Sequence, residues 1–453
     1  MTVQAPGASD RSELRAPFEK SAGATEKIGL EIESGVVDPE TGRAVPYLGE
    51  GGVESLLQAI IADFGGTPVL IGDHVMGMQH DSGMHLSLEH GGALEYASAP
   101  HEDLRTLVED MHAVLSRAAE IARGFRLALL PGANLPFNTT ENAQWVHTPR
   151  GMIMRKFFER IGDPGAGGRT MMTLALSTQV TLDYLNEQDL VAKLRTLVAA
   201  STVVAGMFVN SPFEGGQLTG LLSRRVHCWL RTDPRRCGVL PPALRADMRI
   251  DDFIEWALQL PMIYYRTPDG TYRPAPDRPF GALLVEGFED GTLPTQRDWA
   301  LHLSQIWTTV RLRQTLELRA ADGPAYPDIP ALPALWVGLI YHPESRAAAG
   351  QLLAGYTLAD HRAALQDITT QGLAAKLGRD PLRELGRELV RLAGAGLTAR
   401  VAAGRDDPRV LTYLDPISEV VESGRTFAER AIERWKYDLP GSPARYIEAH
   451  RVR

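Results

Sequence analysis

The chain has 453 residues and carries 47 Lys+Arg against 56 Asp+Glu, a formal charge of −9, with 44% hydrophobic and 23% charged residues. That composition excludes a disordered or fibrous chain, and the acidic balance argues against a general nucleic-acid binder, whose affinity rests on cations at phosphates. The length allows about three units or one elaborated domain, and mild acidity by itself signifies only solubility.

Residues 1–25 read as a loose leader; Asp10, Glu13 and Glu19 interrupt it, and it lacks the apolar core of a secretory signal. A strand follows at 27–34, then a polar, Gly/Pro-rich stretch to Gly52 and a helix over 53–64. Residues 83–97 read as a hairpin turning at Gly91-Gly92. Leu104, Leu107, Val108, Met111, Val114, Leu115 and Ala118 recur at three- and four-residue spacing, which is one buried helix face. Residues 162–169 form a Gly-rich loop without the Gly-Lys-[Ser/Thr] ending of a P-loop, a flexible connection with phosphate cover as its second reading. Residues 174–183 alternate as a strand, and 187–209 form a helix whose second half is apolar all round. The longest uncharged run, 196–213, contains Ser201, Thr202, Asn210 and Pro212 and so reads as a buried helix and turn rather than a membrane span. Cys228 and Cys237 are too few for a disulfide framework or a paired-cysteine zinc site, which points to the reducing cytoplasm. Residues 311–322 alternate as a further strand, and from 343 onward helical periodicity dominates, at 366–376, 381–394 and 417–435. Strands among long helices, without a βαβ rhythm, predict an α+β fold. The expected organisation is a leader (1–25), a main domain (26–341) and a helical C-terminal region packed on the same unit (342–453).

Five segments carry chemistry. In a strand at 27–34, Ile28, Leu30 and Ile32 face one way and Glu31 and Glu33 the other. Such a carboxylate pair suits either a solvated face or an enclosed one with cations between the charges. The hairpin has two registers: one separates Glu89 from Glu95, while a three-residue loop with a bulge pairs Ser87 with Glu95 and puts both carboxylates on one face. The five-residue steps of His80, His85 and His90 are not a zinc-ligand spacing. Ser177, Gln179, Thr181 and Asp183 form a polar row. Arg311, Arg313, Thr315, Glu317 and Arg319 fall on one face of a strand, and that set suits either a polyphosphate with its metal or a salt-bridged surface. The cluster Arg224-Arg225 with Trp229, followed by Arg235-Arg236, suits a carboxylate or phosphate, or a solvated loop.

At these residues the chain resembles the plant-type glutamate–cysteine ligases and the related bacterial enzymes of ergothioneine synthesis. The resemblance rests on Lys27-Ile28-Gly29-Leu30-Glu31-Ile32-Glu33, Ser87-Leu88-Glu89-His90-Gly91-Gly92-Ala93-Leu94-Glu95, Thr178-Gln179-Val180-Thr181-Leu182-Asp183 and Asn210-Ser211-Pro212-Phe213. It continues through Gly220-Leu221-Leu222-Ser223, Val310-Arg311-Leu312-Arg313, Leu316-Glu317-Leu318-Arg319 and Ala334-Leu335-Trp336-Val337-Gly338. It implies a glutamine-synthetase-like curved antiparallel sheet forming a funnel, surrounded by helices, with 26–341 as the catalytic ligase domain. It also implies ATP-dependent joining of the glutamate γ-carboxylate to the amine of cysteine through γ-glutamyl phosphate. Glutamate, cysteine and ATP as co-substrate are then the small-molecule partners, with no nucleic acid and no membrane, and the product would feed glutathione or ergothioneine synthesis. By the same resemblance Glu31, Glu33, Glu89, Glu95 and Glu317 would hold two or three Mg²⁺ ions, and Arg319, backed by Arg311 and Arg313, the transferring phosphoryl group. Arg225 and Trp229 would hold glutamate, with Gln179 and Arg236 on the nucleotide or phosphate side. Three positions depart from the family pattern: Thr181 stands for Asn, Leu174 for Arg, and Gly151 for an aromatic of the acceptor pocket. They raise a second reading, a γ-glutamyl ligase with another amine, beside a third, metal–nucleotide binding without catalysis.

Overall fold

The computed structural model describes residues 11–20, 24–439 and 441–453. Residues 1–10 and 21–23 of the predicted leader lie outside the described residues. The rest of that segment is packed: Leu14 and Phe18 are buried in the core, and Arg15 is paired with Asp251 and Glu187. The prediction of a loose leader therefore fails over 11–18, because two apolar side chains at i and i+4 find the core.

Nine strands form one antiparallel sheet: β1 Ile28–Val37, β2 Thr67–Ile71, β3 His74–Gln79, β4 His85–Leu88, β5 Leu94–Ala97, β6 Ala128–Pro131, β7 Thr178–Leu182, β8 Val310–Leu312 and β9 Leu316–Leu318. The order is β8-β9-β7-β1-β5-β4-β3-β2, with β6 paired to the second half of β1. Alternation places β1 at the centre. Ile28, Leu30 and Ile32 are buried on one face, leaving Glu31 and Glu33 on the other.

The main covering helices are α1 Val53–Phe64, α2 Leu104–Gly124, α3 Pro149–Ile161, α4 Gly168–Thr173, α5 Glu187–Met207, α6 Arg224–Trp229, α7 Ala331–Ile340 and α8 Leu382–Ala402. The apolar stripe of α2 lies against β1, and Asp103 caps its first turn by accepting from the Thr106 N–H at 2.8 Å. Helix α5 is long and apolar enough to cross a membrane by length and composition, yet 78% of its most apolar stretch is buried inside the protein. Helix α8 packs on α5 and α7, and one hydrophobic core runs from Leu14 to Val452. The helices expected at 366–376 and 417–435 are displaced or divided: helices span Leu358–Gln371, Asp415–Ser423 and Phe427–Tyr437, the last two separated at Gly424, whose φ of 75° ends the first.

Two predicted strands are corrected. The segment 174–183 is extended only from Thr178, because α4 runs to Thr173 and Leu174 is buried in a separate apolar cluster. The row 311–319 is a tight hairpin rather than a single strand, with Arg311 opposite Glu317 and Leu312 opposite Leu316. Odd residues pair with odd, so the predicted face survives the fold-back. Strands β2, β3 and β6 were not expected: β2 is exposed along its whole length and lacks alternation, and β6 is a short run buried throughout.

Candidate active site

The polar face of the sheet centre opens into a cavity of about 310 Å³. Its acidic wall comes from β1, β5 and the β4–β5 turn. Glu33 lies directly opposite Glu95, and Ser87 opposite Glu95, so the hairpin takes the register that joins the two carboxylates on one face. The Glu89 N–H donates to the Ala93 carbonyl at 2.9 Å, closing a three-residue loop in which Gly92 has φ 83°. One carboxylate oxygen from each of Glu33, Glu89 and Glu95 lies within 4.8 Å of the others. Ser177 Oγ donates to Glu33 at 2.8 Å and Ser87 Oγ to Glu95 at 2.9 Å.

These carboxylates are short of positive charge. Burial, then repulsion from Glu317, pushes Glu31 up to about 7. Burial and the neighbouring Glu89 push Glu33 up to about 8, and burial with repulsion from Glu31, Glu89 and Glu33 lifts Glu95 well above the usual carboxylate range. A half-buried, all-oxygen, mutually repelling set fits a hard divalent cation such as Mg²⁺, whose charge offsets both desolvation and repulsion.

The opposite wall is cationic. Arg311 Nη2 meets Glu317 at 2.7 Å across the hairpin, and Arg319 reaches both Glu317 and Gln179. Burial raises the Glu317 carboxyl, but Arg311 and Arg319 outweigh it and hold the group down at about 2. The predicted five-carboxylate set is thus split. Glu33, Glu89 and Glu95 converge, Glu31 adjoins them electrostatically, and Glu317 is bound into the arginine cluster. Arg313, in the turn, also lines the cavity.

Arg225 and Trp229 reach the cavity on α6, whose first turn is capped by Ser223 accepting from the Val226 N–H at 3.0 Å. Arg225 donates to the carbonyls of Ala321 (3.0 Å) and Arg319 (3.1 Å), so it holds the end of β9 as well as facing the site. Asp322 is buried beside it and accepts from Ser211 Oγ at 2.7 Å and Ser223 Oγ at 3.0 Å. The arrangement ties α6 to the strand carrying Glu317. Trp229 lies under Arg319, 5.7 Å from ring centre to guanidinium carbon.

Arg236 is the correction. It is fully buried outside the cavity, paired with Asp233 at 2.8 Å and donating to the Gln305 and Pro261 carbonyls. Adjacency to Arg235 in sequence says nothing about burial, and Arg236 holds loops together rather than a nucleotide. Replacing it with alanine is expected to cost about 2–4 kcal/mol of stability, because the buried Gln305 and Pro261 carbonyls lose their guanidinium donor while Asp233 keeps only the half-exposed Arg235. Substrate KM values of the folded fraction are expected to stay unchanged, which thermal melts with steady-state kinetics will check. A predominant KM effect would return Arg236 to the site.

Sequence reasoning did not find Arg150, His90, Met154, Met171 or Met172, all of which line the cavity. The methionines carry helical spacing that reads as core, and His90 was visible only as one of three histidines without ligand spacing. Residues 162–169 do not line the cavity.

A pH–metal linkage follows from the acidic wall. Carboxyls raised in the folded state bind protons more tightly than in the unfolded chain. The contribution of these two carboxyls to the stability of the metal-free protein therefore falls as pH rises from 4.5 through about 8, the window of Glu31 and Glu33. Mg²⁺ is expected to raise the melting temperature more at about pH 8.5 than at about pH 7, since it competes with protons for the same oxygens. Buried His302 and His361, held down to about 3 and 4 mainly by burial, protonate only in the unfolded chain up to about pH 6.5 and oppose that slope there, so the net fall is expected from about pH 6.5 to 8. Equal Mg²⁺ shifts in melts at the two pH values would count against the carboxylates as the cation site.

The sequence matches glutamate–cysteine ligase family 2 over residues 27–449. It is 30% identical to the chloroplastic glutamate–cysteine ligase of Arabidopsis thaliana over 411 residues, covering 90% of this chain and 76% of that one. It is 29% identical to the Brassica juncea enzyme of the same name, covering 90% and 77%. Among solved structures, the Francisella tularensis glutamate–cysteine ligase in complex with AMP superposes with a TM-score of 0.55 at 12% identity, covering 94% of this chain and 87% of that one, a likeness of fold. The chain therefore belongs to glutamate–cysteine ligase family 2 and is an enzyme of that type.

Proposed function

We propose that the protein joins the γ-carboxylate of glutamate to the amine of cysteine at the expense of ATP, giving γ-glutamylcysteine, ADP and phosphate. The observation that carries this reading is one small cavity with Glu33, Glu89 and Glu95 within 4.8 Å on one side and Arg319 with Arg311 and Glu317 on the other. Phosphoryl transfer needs little more than positioning and neutralisation of charge. Arg225 and Trp229 orient glutamate so that a γ-carboxylate oxygen meets the γ-phosphorus of ATP as the bond to ADP breaks. Arg319, kept in place by Gln179 and Glu317, neutralises the charge spread over the equatorial oxygens. Glu33, Glu89 and Glu95, with Glu31 beside them, would hold Mg²⁺, which neutralises phosphate oxygens when bound. The amine then attacks the acyl carbon and phosphate leaves with the amine's proton. Two free cysteines support a reducing compartment, the cytoplasm, and a role in making a low-molecular-weight thiol such as glutathione.

A second reading, another amine as acceptor, draws on the positions that depart from the family pattern. Leu174 is buried in an apolar cluster and does not itself line the cavity, and Gly151 presents no side chain. Purified protein with Mg·ATP and glutamate is expected to release ADP in strict dependence on an added amine, with cysteine giving the highest kcat/KM. A higher value for another amine selects the second reading, and no release with any amine overturns both.

A further inference from the structure

A second cavity, of about 500 Å³, lies outside the active site and shares one side chain with it, Trp229. Its size suits a small molecule, and the ligase reaction makes no use of it. Trp229 and Trp256 give it an aromatic wall, and Leu365 adds to the apolar part. Among the described residues its charged lining consists of Arg235 and Arg362, so a chain of net charge −9 here presents two cations and no carboxylate. Arg235 is paired with Asp233 at 3.2 Å and, more loosely, with Asp277 at 3.9 Å. Arg362 is exposed and forms no hydrogen bond or ion pair among the described residues. Guanidiniums beside indoles suit a flat ring that carries an anionic group: aromatic contact holds the ring and the fork holds the oxygens.

The cavity is held open by its frame. The 230–241 side is braced by Arg236 and by the parallel pairing of Cys237 with Trp307. The other side is one face of the helix Leu358–Gln371, where Arg362, Leu365 and Gln366 stand at three- and four-residue spacing. That helix is fastened to the arm that carries Arg225 and Trp229. The Thr369 carbonyl accepts from the Leu222 N–H at 2.7 Å and the Ser223 N–H at 3.2 Å, immediately before α6. Trp229, the last residue of α6, is therefore reached twice from this cavity, directly through the wall and through the start of its helix. A narrow void of about 30 Å³ adjoins the indole. It is lined by Arg225 and Arg319 of the active site and by Gly238 and Leu365 of the second cavity, which leaves the ring room to settle.

We propose that this second cavity is an effector site for a planar aromatic ring bearing a carboxylate or phosphate, and that its occupant tightens glutamate binding by fixing Trp229. Arg362, with Arg235, holds the anionic group, and Trp256 and Trp229 hold the ring. Ordering of Trp229 by one ligand spares the other that cost, so the coupling is positive and reciprocal. The coupling rests on the proposed seat of glutamate at Arg225 and Trp229; the cavity as a binding site does not.

The test is calorimetry on the full chain with saturating Mg·ADP, with and without glutamate. The probes are indole-3-carboxylate and phenyl phosphate, against indole-3-carboxamide as a neutral control and hexanoate as a non-aromatic one. At least one anionic ring is expected to bind, the tighter of the two identifying the anionic group, and both controls to bind about tenfold or more weakly. Glutamate is expected to tighten that ring about fivefold. Arg362→Glu, at an exposed position, is expected to weaken it about tenfold or more, while kcat and the KM for glutamate without the ring stay within about twofold of wild type. Binding of neither ring, equal binding in Arg362→Glu, or controls that bind as tightly overturns the site. Binding seen only without Mg·ADP places the ring in the nucleotide seat and also overturns it. A ring that binds through Arg362 but takes no notice of bound glutamate overturns the effector role. If glutamate itself gives no binding heat, the ligase reading fails, and the site then stands or falls on Arg362→Glu alone.

Discussion

Arg319→Ala is expected to lower turnover by about a thousandfold or more while leaving the protein folded. An arginine that neutralises a transferring phosphoryl group is worth roughly 10³–10⁵ in kcat. Neither Arg311 nor Arg225 can replace it: Arg311 is committed to Glu317 and to the Ser304 carbonyl, and Arg225 to two backbone carbonyls. The structural cost is limited for the same reason. Glu317 keeps Arg311 at 2.7 Å, so no buried carboxylate is stranded. The readouts are single-turnover ADP formation and a thermal melt. A loss of turnover below about tenfold, or a melting temperature collapsing in parallel with activity, would make Arg319 a structural residue. Arg319→Lys should recover a minor part of the rate, because an ammonium supplies charge without the planar fork that pairs two phosphate oxygens.

Glu33→Gln is expected to move activity and stability in opposite directions. Turnover should fall by about a hundredfold or more, since one of three converging oxygen ligands is lost. At about pH 8.5, above the raised Glu33 value, the metal-free protein should melt higher, by about 1–3 °C, because the substitution removes a charge that Glu89 repels and keeps an acceptor for Ser177. A saturating Mg²⁺ titration should shrink the melting shift seen in the wild type. A metal-free variant less stable than wild type would mean that Glu33 is held by attractive contacts, and the acidic wall would lose its case as a cation site.

Much of the site was legible because a strand has period two. Ile28, Leu30 and Ile32 announce which face of β1 is buried, and Glu31 and Glu33 follow. Other parts were not legible, each for a physical reason. Both registers of the Gly91-Gly92 turn satisfy local rules, and the choice is made by contacts remote in sequence, Gly91 against Thr173 and Gly92 against Gln144. The turn at Arg313-Gln314-Thr315 has neither glycine nor proline, so the hairpin at 310–318 looked continuous. Arg236 and Arg225 look alike in a basic run and both end up buried, and only their placement relative to the cavity separates a loop brace from a group at the site. The methionine wall follows from how helices α3 and α4 meet the sheet, and local spacing does not carry that.

The place of β1 at the middle of the sheet has a consequence for biogenesis. Its neighbours β5 and β6 are synthesised soon after it, β7 much later, and β9, with Glu317 and then Arg319, later still. At a translation speed of roughly 5–20 residues per second, Glu31 and Glu33 wait tens of seconds for the arginines that face them. Through that interval the nascent chain carries these carboxylates with Arg150 and Arg225 as the cavity cations already made and without Arg311, Arg313 and Arg319. Cellular Mg²⁺ would then act on the growing polypeptide as well as on the finished enzyme, and ribosome release at low Mg²⁺ should yield more aggregated chain.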